Sequence, residues 1–192
     1  AFEEMLTEKV HAVLINTPNN PSGIAYTAKT LERLASILTE KEKQSIEVLD
    51  FDIGIPDDVG LQLLSYINTE TVCAKEMVLL PHQSCPEHKH VPSYGNEGKE
   101  ETFRCRYGKV YLYVEGEGKS EDIAVPLPPT DTTVYHEIIL HPGEQYTIMP
   151  ETWHWFQAGE EGAVISEFST RSTDETDIFT DKRIIRETKI EE

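Results

Sequence analysis

The chain has 192 residues, enough for one ordinary domain and a short extension. Its 17 basic and 35 acidic residues give a net charge of −18, which argues against binding to nucleic acid or to anionic membranes. No apolar run approaches the roughly 20 residues that span a bilayer. The start of the chain is acidic and lacks the apolar core of a signal peptide. Three cysteines without a close CxxC pair argue against a disulfide framework, so we expect a cytoplasmic protein.

The first 44 residues predict a strand, a turn and a helix. Residues 10–16 form an apolar run, and residues 17–23 are rich in Pro, Asn and Gly, as is typical of a turn. Residues 27–43 carry Leu and Ala at helical spacing after Thr27, a suitable N-cap. We therefore expect a short N-terminal strand–turn–helix extension at residues 1–44.

From residue 45 onward the pattern changes to short β-rich runs separated by Gly, Pro and acidic turns. Many short strands with regular turns are typical of a sandwich or barrel, so residues 45–192 are expected to form a mainly β domain. The predicted strands are residues 60–67, 72–80, 84–90, 101–107, 109–115, 136–140, 145–149, 154–158 and 162–169.

Three histidines and a glutamate have the spacing of metal ligands on β-strands. His88 and His90 are two residues apart, so in a strand both side chains point to one face. Glu101 and His154 come from later strands and complete a set of three imidazoles and one carboxylate. Such a set leaves open coordination positions, which indicates catalysis. Cys85 is three residues from His88, so the same alternation predicts that it points away as a small apolar filler.

These segments resemble the two motifs of the cupin family. In that family two histidines one residue apart precede a glutamate, here Glu101, with a glycine seven positions further on. The second motif runs glycine, proline, histidine, as Gly143, Pro150 and His154 do. The gap between the glycine and the proline is one residue longer than usual, and Thr152 replaces a small glycine. The resemblance implies a cupin jelly-roll β-barrel and a homodimer.

From about residue 38 onward the chain resembles the D-lyxose ketol-isomerase family of cupins. The resemblance implies an Mn(II)-dependent enzyme that interconverts D-lyxose and D-xylulose, and also D-mannose and D-fructose. The ligand set itself also suits Co, Ni, Fe or Zn. The segments that carry the resemblance are VGLQL (59–63), CAKEMVL (73–79), CPEHKH (85–90), GKEETFRCRYGKVYLY (98–113), HWFQAG (154–159) and STD (172–174).

An isomerase of this kind needs a base that moves a proton between C1 and C2 of the open-chain sugar. Glu167, in an apolar run near the end of the barrel, is the candidate base; the alternative is an outward-facing strand carboxylate. Lys75 also lies in an apolar run and either stabilises the oxyanion or snorkels outward. Asp177 and Arg183, in the tail, are candidates to bind sugar hydroxyls, with a solvated tail as the alternative.

Residues 1–44 resemble a different family, the fold-type I aminotransferases that use pyridoxal phosphate. Residues 16–26 match the strand–turn–helix that contacts the cofactor ring in that family. The Schiff-base lysine segment and the phosphate-binding residues have no counterpart in this chain. We therefore expect no pyridoxal phosphate and no transamination, and we interpret the chain as a chimera.

Three other functions stay open at this point. A cupin dioxygenase would use iron at the same ligands, and a non-catalytic sugar-binding cupin would tolerate changes at Lys75 or Glu167. An isomerase of phosphorylated sugars needs a basic cluster, but Arg104 and Arg106 alternate with Glu101 and are expected to face away from the metal. The expected ligand is therefore a small-molecule aldose or ketose, without nucleic acid or membrane partners.

Overall fold

Nine β-strands build the described part of the chain, residues 46–95 and 97–186 of a computed structural model. The predicted extension at residues 1–44 lies outside the described residues, and the domain boundary at residue 45 stays a prediction. No helix among the described residues is long and apolar enough to cross a membrane. The strands are β1 (Ile46–Leu49), β2 (Leu61–Asn68), β3 (Cys73–Leu79), β4 (Ser84–Lys89), β5 (Glu101–Val114), β6 (His136–Leu140), β7 (Gln145–Ile148), β8 (His154–Ser169) and β9 (Ile178–Phe179), with a 3-10 helix at Asp174–Thr176 before β9.

All the strands belong to one antiparallel sheet that curls around its core. Its main path runs β1-β2-β3-β8-β4-β9, and β5 pairs with β6, β7 and β8. The long strand β8 pairs with β4 through its first half and with β3 through its second half, while β5 runs alongside both halves. This branching brings β3, β4, β5 and β8 around one interior and confirms the predicted cupin jelly roll.

Two strands are longer than the sequence predicts. The predicted strands at 101–107 and 109–115 are one strand, β5, and those at 154–158 and 162–169 are one strand, β8. Gly108 and Gly162 have φ of 70° and 75°, values typical of a turn, but register shifts absorb them within the β5–β8 ladder. The separate strands predicted there are therefore wrong. Strand β1 is not predicted from the sequence because it has only four residues and directly follows the charged and polar stretch at residues 40–45.

Replacing Gly108 by Ala is expected to lower the free energy of unfolding by more than about 2 kcal/mol. A Cβ there would lie 2.0 Å from the Gly162 carbonyl oxygen, so the two strands would have to move apart. Gly143→Ala is the control, because Gly143 has φ of 93° but nothing within 4 Å of an added Cβ. Urea unfolding of both variants measures the difference. Equal losses would contradict the close approach of β5 to β8.

Strand alternation places charged residues on the inner face of the sheet. In β3 every second residue is buried, so Lys75 shares the inner face with Met77 and Leu79. Glu167 lies directly opposite Lys75 in the paired strand β8 and is also buried. Two ionisable side chains thus lie beside the apolar core residues of β2, β3, β5 and β8.

Strand β4 does not alternate. Its first five residues are all buried, and its register with β8 shifts between Cys85 and His88, around Pro86, which has no N–H for the ladder. Because of this bulge, Cys85 and His88 line the same cavity. The prediction that Cys85 points away from the histidines is therefore wrong.

Candidate metal centre and catalytic cavity

The four predicted ligands meet at one buried point. The imidazole nitrogens of His88, His90 and His154 lie within 4.8 Å of one another. Glu101 Oε1 lies 3.1 Å from His90 Nε2 and 3.0 Å from His154 Nε2. All four side chains are buried, and β4, the residue that follows it, β5 and β8 supply them. The bulged β4 and the first residues of β5 and β8 thus converge as the spacing of the motif predicts.

Each of the three imidazoles has a hydrogen-bond acceptor at its Nδ1 atom. Such an acceptor holds a proton on Nδ1 and leaves the Nε2 lone pair free to bind a metal ion. Burial and the neighbouring imidazoles keep the pKa of His88 well below its usual range, so that ring is neutral, as a ligand must be. The acceptors are Pro86 O for His88 (2.8 Å), Asp177 Oδ1 for His90 (2.6 Å) and Thr152 O for His154 (3.0 Å).

The surroundings of the His154 Nε2 atom show whether this cluster fits a metal ion. It is buried and has no hydrogen-bond partner in the described part of the chain, although Glu101 Oε1 is 3.0 Å away. With the Nδ1 proton directed to Thr152 O, a lone pair on Nε2 faces a carboxylate oxygen. Buried polar atoms without a partner are rare, and a divalent cation bound by both atoms would satisfy them. The donor set therefore fits a metal ion.

Metal affinity is expected to rise about tenfold per pH unit up to about pH 9 and then to level off. Burial and the Lys99 charge lower the pKa of His90, but Glu101 and Asp177 outweigh them and raise it to about 9. Below that pH the ring must release a proton before it binds an ion. Chelator competition at a series of pH values measures this, and Asp177→Asn should shift the plateau to lower pH. An affinity independent of pH would contradict the assignment.

Lys99 links the candidate ligand to the candidate base. Its Nζ atom lies 2.8 Å from Glu101 Oε2, 3.1 Å from Glu167 Oε1 and 3.1 Å from Asp174 Oδ1. Burial lowers the pKa of Lys99, but these carboxylates outweigh it and hold the pKa well above its usual range. The side chain is therefore an ammonium inside the cavity. No sequence pattern singles out Lys99, although it precedes Glu101 by two residues.

Of the two predicted catalytic residues, Glu167 lines the cavity and Lys75 does not. Glu167 accepts hydrogen bonds from Lys99 Nζ and Ser169 Oγ, both at 3.1 Å. Lys75 is buried rather than snorkelling, but its ammonium donates to Ser172 Oγ (2.8 Å) and forms an ion pair with Asp174. Lys75 therefore supports the far side of the charged cluster instead of facing the cavity.

The tail from residue 174 onward forms one wall of the cavity. Asp177, a predicted sugar-binding residue, lines it and holds the Nδ1 atom of His90. Arg183 does not: its guanidinium binds Asp181 and the Pro129 carbonyl, and its side chain is 63% exposed. The neighbouring Ile184 packs into the core, which turns Arg183 outward. Sugar binding by Arg183 is therefore not supported by its position.

The cavity has a charged wall and an apolar wall. It encloses about 380 Å³, part of it open to solvent. Two basic side chains, Lys99 and Arg186, face four carboxylates in its lining, so the lining is acidic before any metal binds. Such a cavity suits a neutral, hydroxyl-rich ligand better than an anion. The carboxylates are Glu101, Glu167, Asp174 and Asp177, and the apolar wall comprises Leu49, Phe51, Leu61, Leu63, Met77, Cys85, Phe103, Phe156 and Phe179.

An antiparallel jelly roll with three histidines and a glutamate converging inside it defines a cupin with a candidate metal centre. Within that class the chain belongs to the D-lyxose isomerase family, an enzyme family whose model matches residues 47–192. It is 57% identical to the D-lyxose/D-mannose isomerase of Thermosediminibacter oceani, over 85% of this chain and 92% of the relative. It is 55% identical to the D-lyxose ketol-isomerase of Cohnella laeviribosi, over 85% and 91%.

Solved structures share the fold at low sequence identity. The L-ribose isomerase of Cellulomonas parahominis without ligand has a TM-score of 0.61 at 15% identity, over 81% of this chain and 91% of that chain. The L-ribose isomerase of Acinetobacter sp. DL28 in complex with L-ribose has a TM-score of 0.57 at 15% identity, over 77% and 80%. Separately, the model of aminotransferase class I and II matches residues 1–50, which confirms the second resemblance.

Proposed function

We propose that the protein is a metal-dependent aldose–ketose isomerase that interconverts D-lyxose and D-xylulose, and also D-mannose and D-fructose. The observation that carries the proposal is the contact of Lys99 with both Glu101 and Glu167, because it joins a candidate base to the metal cluster inside one cavity. Relatives 52–57% identical that are named as D-lyxose isomerases support the choice of sugar.

The metal would be held by His88, His90, Glu101 and His154, and Mn(II) is the ion we propose, with Co, Ni, Fe or Zn as alternatives. When bound, a divalent cation supplies Lewis-acid stabilisation of the negative charge that develops on the sugar oxygens. The chain prepares the site by holding each Nδ1 atom on an acceptor and by excluding bulk water from all four ligands.

In the proposed reaction Glu167 removes the proton from C2 of the open-chain aldose and returns it to C1, while a hydroxyl proton passes from O2 to O1. The Glu167 carboxylate is buried, and hydrogen bonds from Lys99 and Ser169 hold it in one orientation. Lys99, rather than Lys75, supplies the positive charge nearest to the enediolate, because only Lys99 lines the cavity.

The competing functions differ from this proposal in observable ways. A phosphorylated sugar is disfavoured because the four carboxylates of the cavity lining outnumber its Lys and Arg side chains, Lys99 and Arg186. A non-catalytic sugar-binding cupin has no use for a buried glutamate held by a buried lysine, and such charges are costly to bury. A dioxygenase would consume oxygen at the same ligands, so oxygen uptake separates it from an isomerase.

The test is product analysis with the protein loaded with Mn²⁺. D-Lyxose should yield D-xylulose and D-mannose should yield D-fructose, without oxygen uptake. D-Lyxose 5-phosphate serves as the matched substrate and is expected to react more slowly. Preferred turnover of the phosphorylated sugar, or oxygen-dependent products, would replace the proposal with the corresponding alternative.

Three further properties of the chain are part of the proposal. We propose a cytoplasmic protein, supported by Cys73, Cys85 and Cys105, which are all free and buried. We propose a homodimer, which is what the resemblance to the cupin family implies. We propose a chimera, supported by the match of residues 1–50 to an aminotransferase model. We propose that it does not use pyridoxal phosphate, because the sequence has no counterpart of the Schiff-base lysine segment or of the phosphate-binding residues.

A further inference from the structure

Glu87 is a buried carboxylate that the proposed reaction does not use. It precedes His88 in β4 and is only 1% exposed. Its two oxygens accept four hydrogen bonds, which is what an ionised group needs in an interior. The donors are Thr133 N (2.6 Å), Thr133 Oγ1 (2.6 Å), Val134 N (3.0 Å) and Thr180 Oγ1 (2.5 Å).

These four bonds join two distant segments to β4. Thr133 and Val134 lie in the loop that leads into β6, and Thr180 follows β9. The Thr180 N–H also donates to the backbone oxygen of Glu87, at 3.1 Å. Beside it, the Phe179 ring lies 5.6 Å from the His88 ring. One carboxylate therefore fixes both the loop and the tail strand against the chain that carries His88.

On the side of β8, the regular pairing of strand β4 is interrupted at this point. Pro86 has no N–H, and the register with β8 shifts between Cys85 and His88. Yet the Pro86 carbonyl oxygen is the acceptor, 2.8 Å away, that orients the His88 ring. The orientation of the Pro86–Glu87 peptide therefore decides where the His88 Nε2 atom points, and the ladder alone does not fix that peptide.

The same loop also reaches the residue beside a second ligand. The carbonyl oxygen of Val134, whose N–H binds Glu87, accepts a hydrogen bond from Trp155 Nε1 at 2.9 Å. Trp155 follows His154 in β8 and stacks on Tyr113, with ring centroids 4.0 Å apart. A continuous set of hydrogen bonds thus runs from the neighbour of His88 to the neighbour of His154.

We propose that Glu87 is a positioning residue for the metal centre. By anchoring residues 133–134 and Thr180 to β4, it fixes His88 relative to His154 and so raises the affinity for the ion. This inference rests on the metal site of the proposed function. Residues that hold metal ligands in place without binding the metal commonly lower metal affinity by about 10–100-fold when they are mutated.

The test compares Glu87→Gln with Asp181→Asn, using Mn²⁺ and a competing chelator. Asp181 is also buried and anchors the same loop, through Asp131 N at 3.2 Å, but it does not adjoin a metal ligand. Both variants are expected to lower the unfolding temperature of the metal-free protein. Only Glu87→Gln should weaken Mn²⁺ binding, by at least about tenfold. Wild-type affinity in Glu87→Gln, or equal weakening in both variants, would overturn the proposal.

Thr133→Val is a second variant for the case in which Glu87→Gln does not fold. It keeps the Glu87 carboxylate and the Thr133 N–H but removes one hydroxyl donor. A smaller loss of Mn²⁺ affinity is expected, and an unchanged affinity would again overturn the proposal. Wild-type protein is measured first. If it binds no Mn²⁺, the metal site itself is refuted, whereas normal wild-type binding with unaffected variants refutes only the role of Glu87.

Discussion

Replacing His154 by Ala is expected to abolish tight Mn²⁺ binding and to reduce isomerase activity at least about 10³-fold. His154 is fully buried at the centre of the cluster, and its Nε2 atom has no hydrogen-bond partner among the described residues. Without the metal, the charge on the enediolate loses several kcal/mol of stabilisation, and each 1.4 kcal/mol is about a tenfold change in rate.

The matched control for His154→Ala is His136→Ala. His136 is exposed at the start of β6 and does not line the cavity. Metal content by mass spectrometry and turnover of D-lyxose should both stay at wild-type values in that variant. A His154→Ala protein that retained its metal and its activity would show that the cluster is not the reaction centre.

Replacing Glu167 by Gln is expected to lower kcat by about 10²–10⁴-fold while the metal content stays unchanged. The amide cannot accept the proton from C2, but it preserves the size of a side chain that is almost completely buried. Because Glu167 contacts Lys99 and Ser169 rather than the histidines, the ligand set remains complete. Turnover of D-lyxose deuterated at C2 gives the second readout, since wild-type protein should show a primary isotope effect.

Glu76→Gln is the control for the loss of a strand carboxylate. Glu76 is the next residue after Lys75 in β3, lies on the opposite face and accepts hydrogen bonds from Ser166 Oγ. Its replacement should leave kcat within about twofold of wild type. Wild-type turnover by the Glu167→Gln variant would mean that another group moves the proton.

The convergence of His88, His90, Glu101 and His154 could be predicted from the sequence because its information is local. His88 and His90 share a strand face by a period of two, and Glu101 and His154 begin later strands of the same motif. Glu167 could be recognised as a carboxylate in an apolar run. These signals depend on a residue and its immediate neighbours, which a linear pattern records.

Contacts between distant segments could not be predicted in this way. Lys99 lies just before β5, where no strand pattern indicates the direction of its side chain. Lys75 lies within an apolar run that predicts a buried strand, so the sequence favours Lys75 as the catalytic lysine. Asp174 and Arg186 belong to a polar tail whose composition is that of a solvated segment, yet tertiary packing brings both into the cavity wall. The same packing turns Arg183 outward.

Local rules also failed where the backbone is irregular. The positive φ of Gly108 and Gly162 is typical of a turn, but in β5 and β8 it is accommodated by bulges inside long strands. The bulge at Pro86 likewise brings Cys85 to the side of His88, against simple alternation. Of these irregularities the bulge at Pro86 adjoins the site, since it lies two residues before His88.

The most direct test of the account is a titration of metal-free protein with Mn²⁺, in which bound metal and D-lyxose turnover are measured on the same samples. We expect turnover to rise in proportion to bound metal and to reach its maximum at one ion per chain. Full turnover before metal is added, or one tightly bound ion per chain without turnover, would contradict the proposed metal-dependent isomerase.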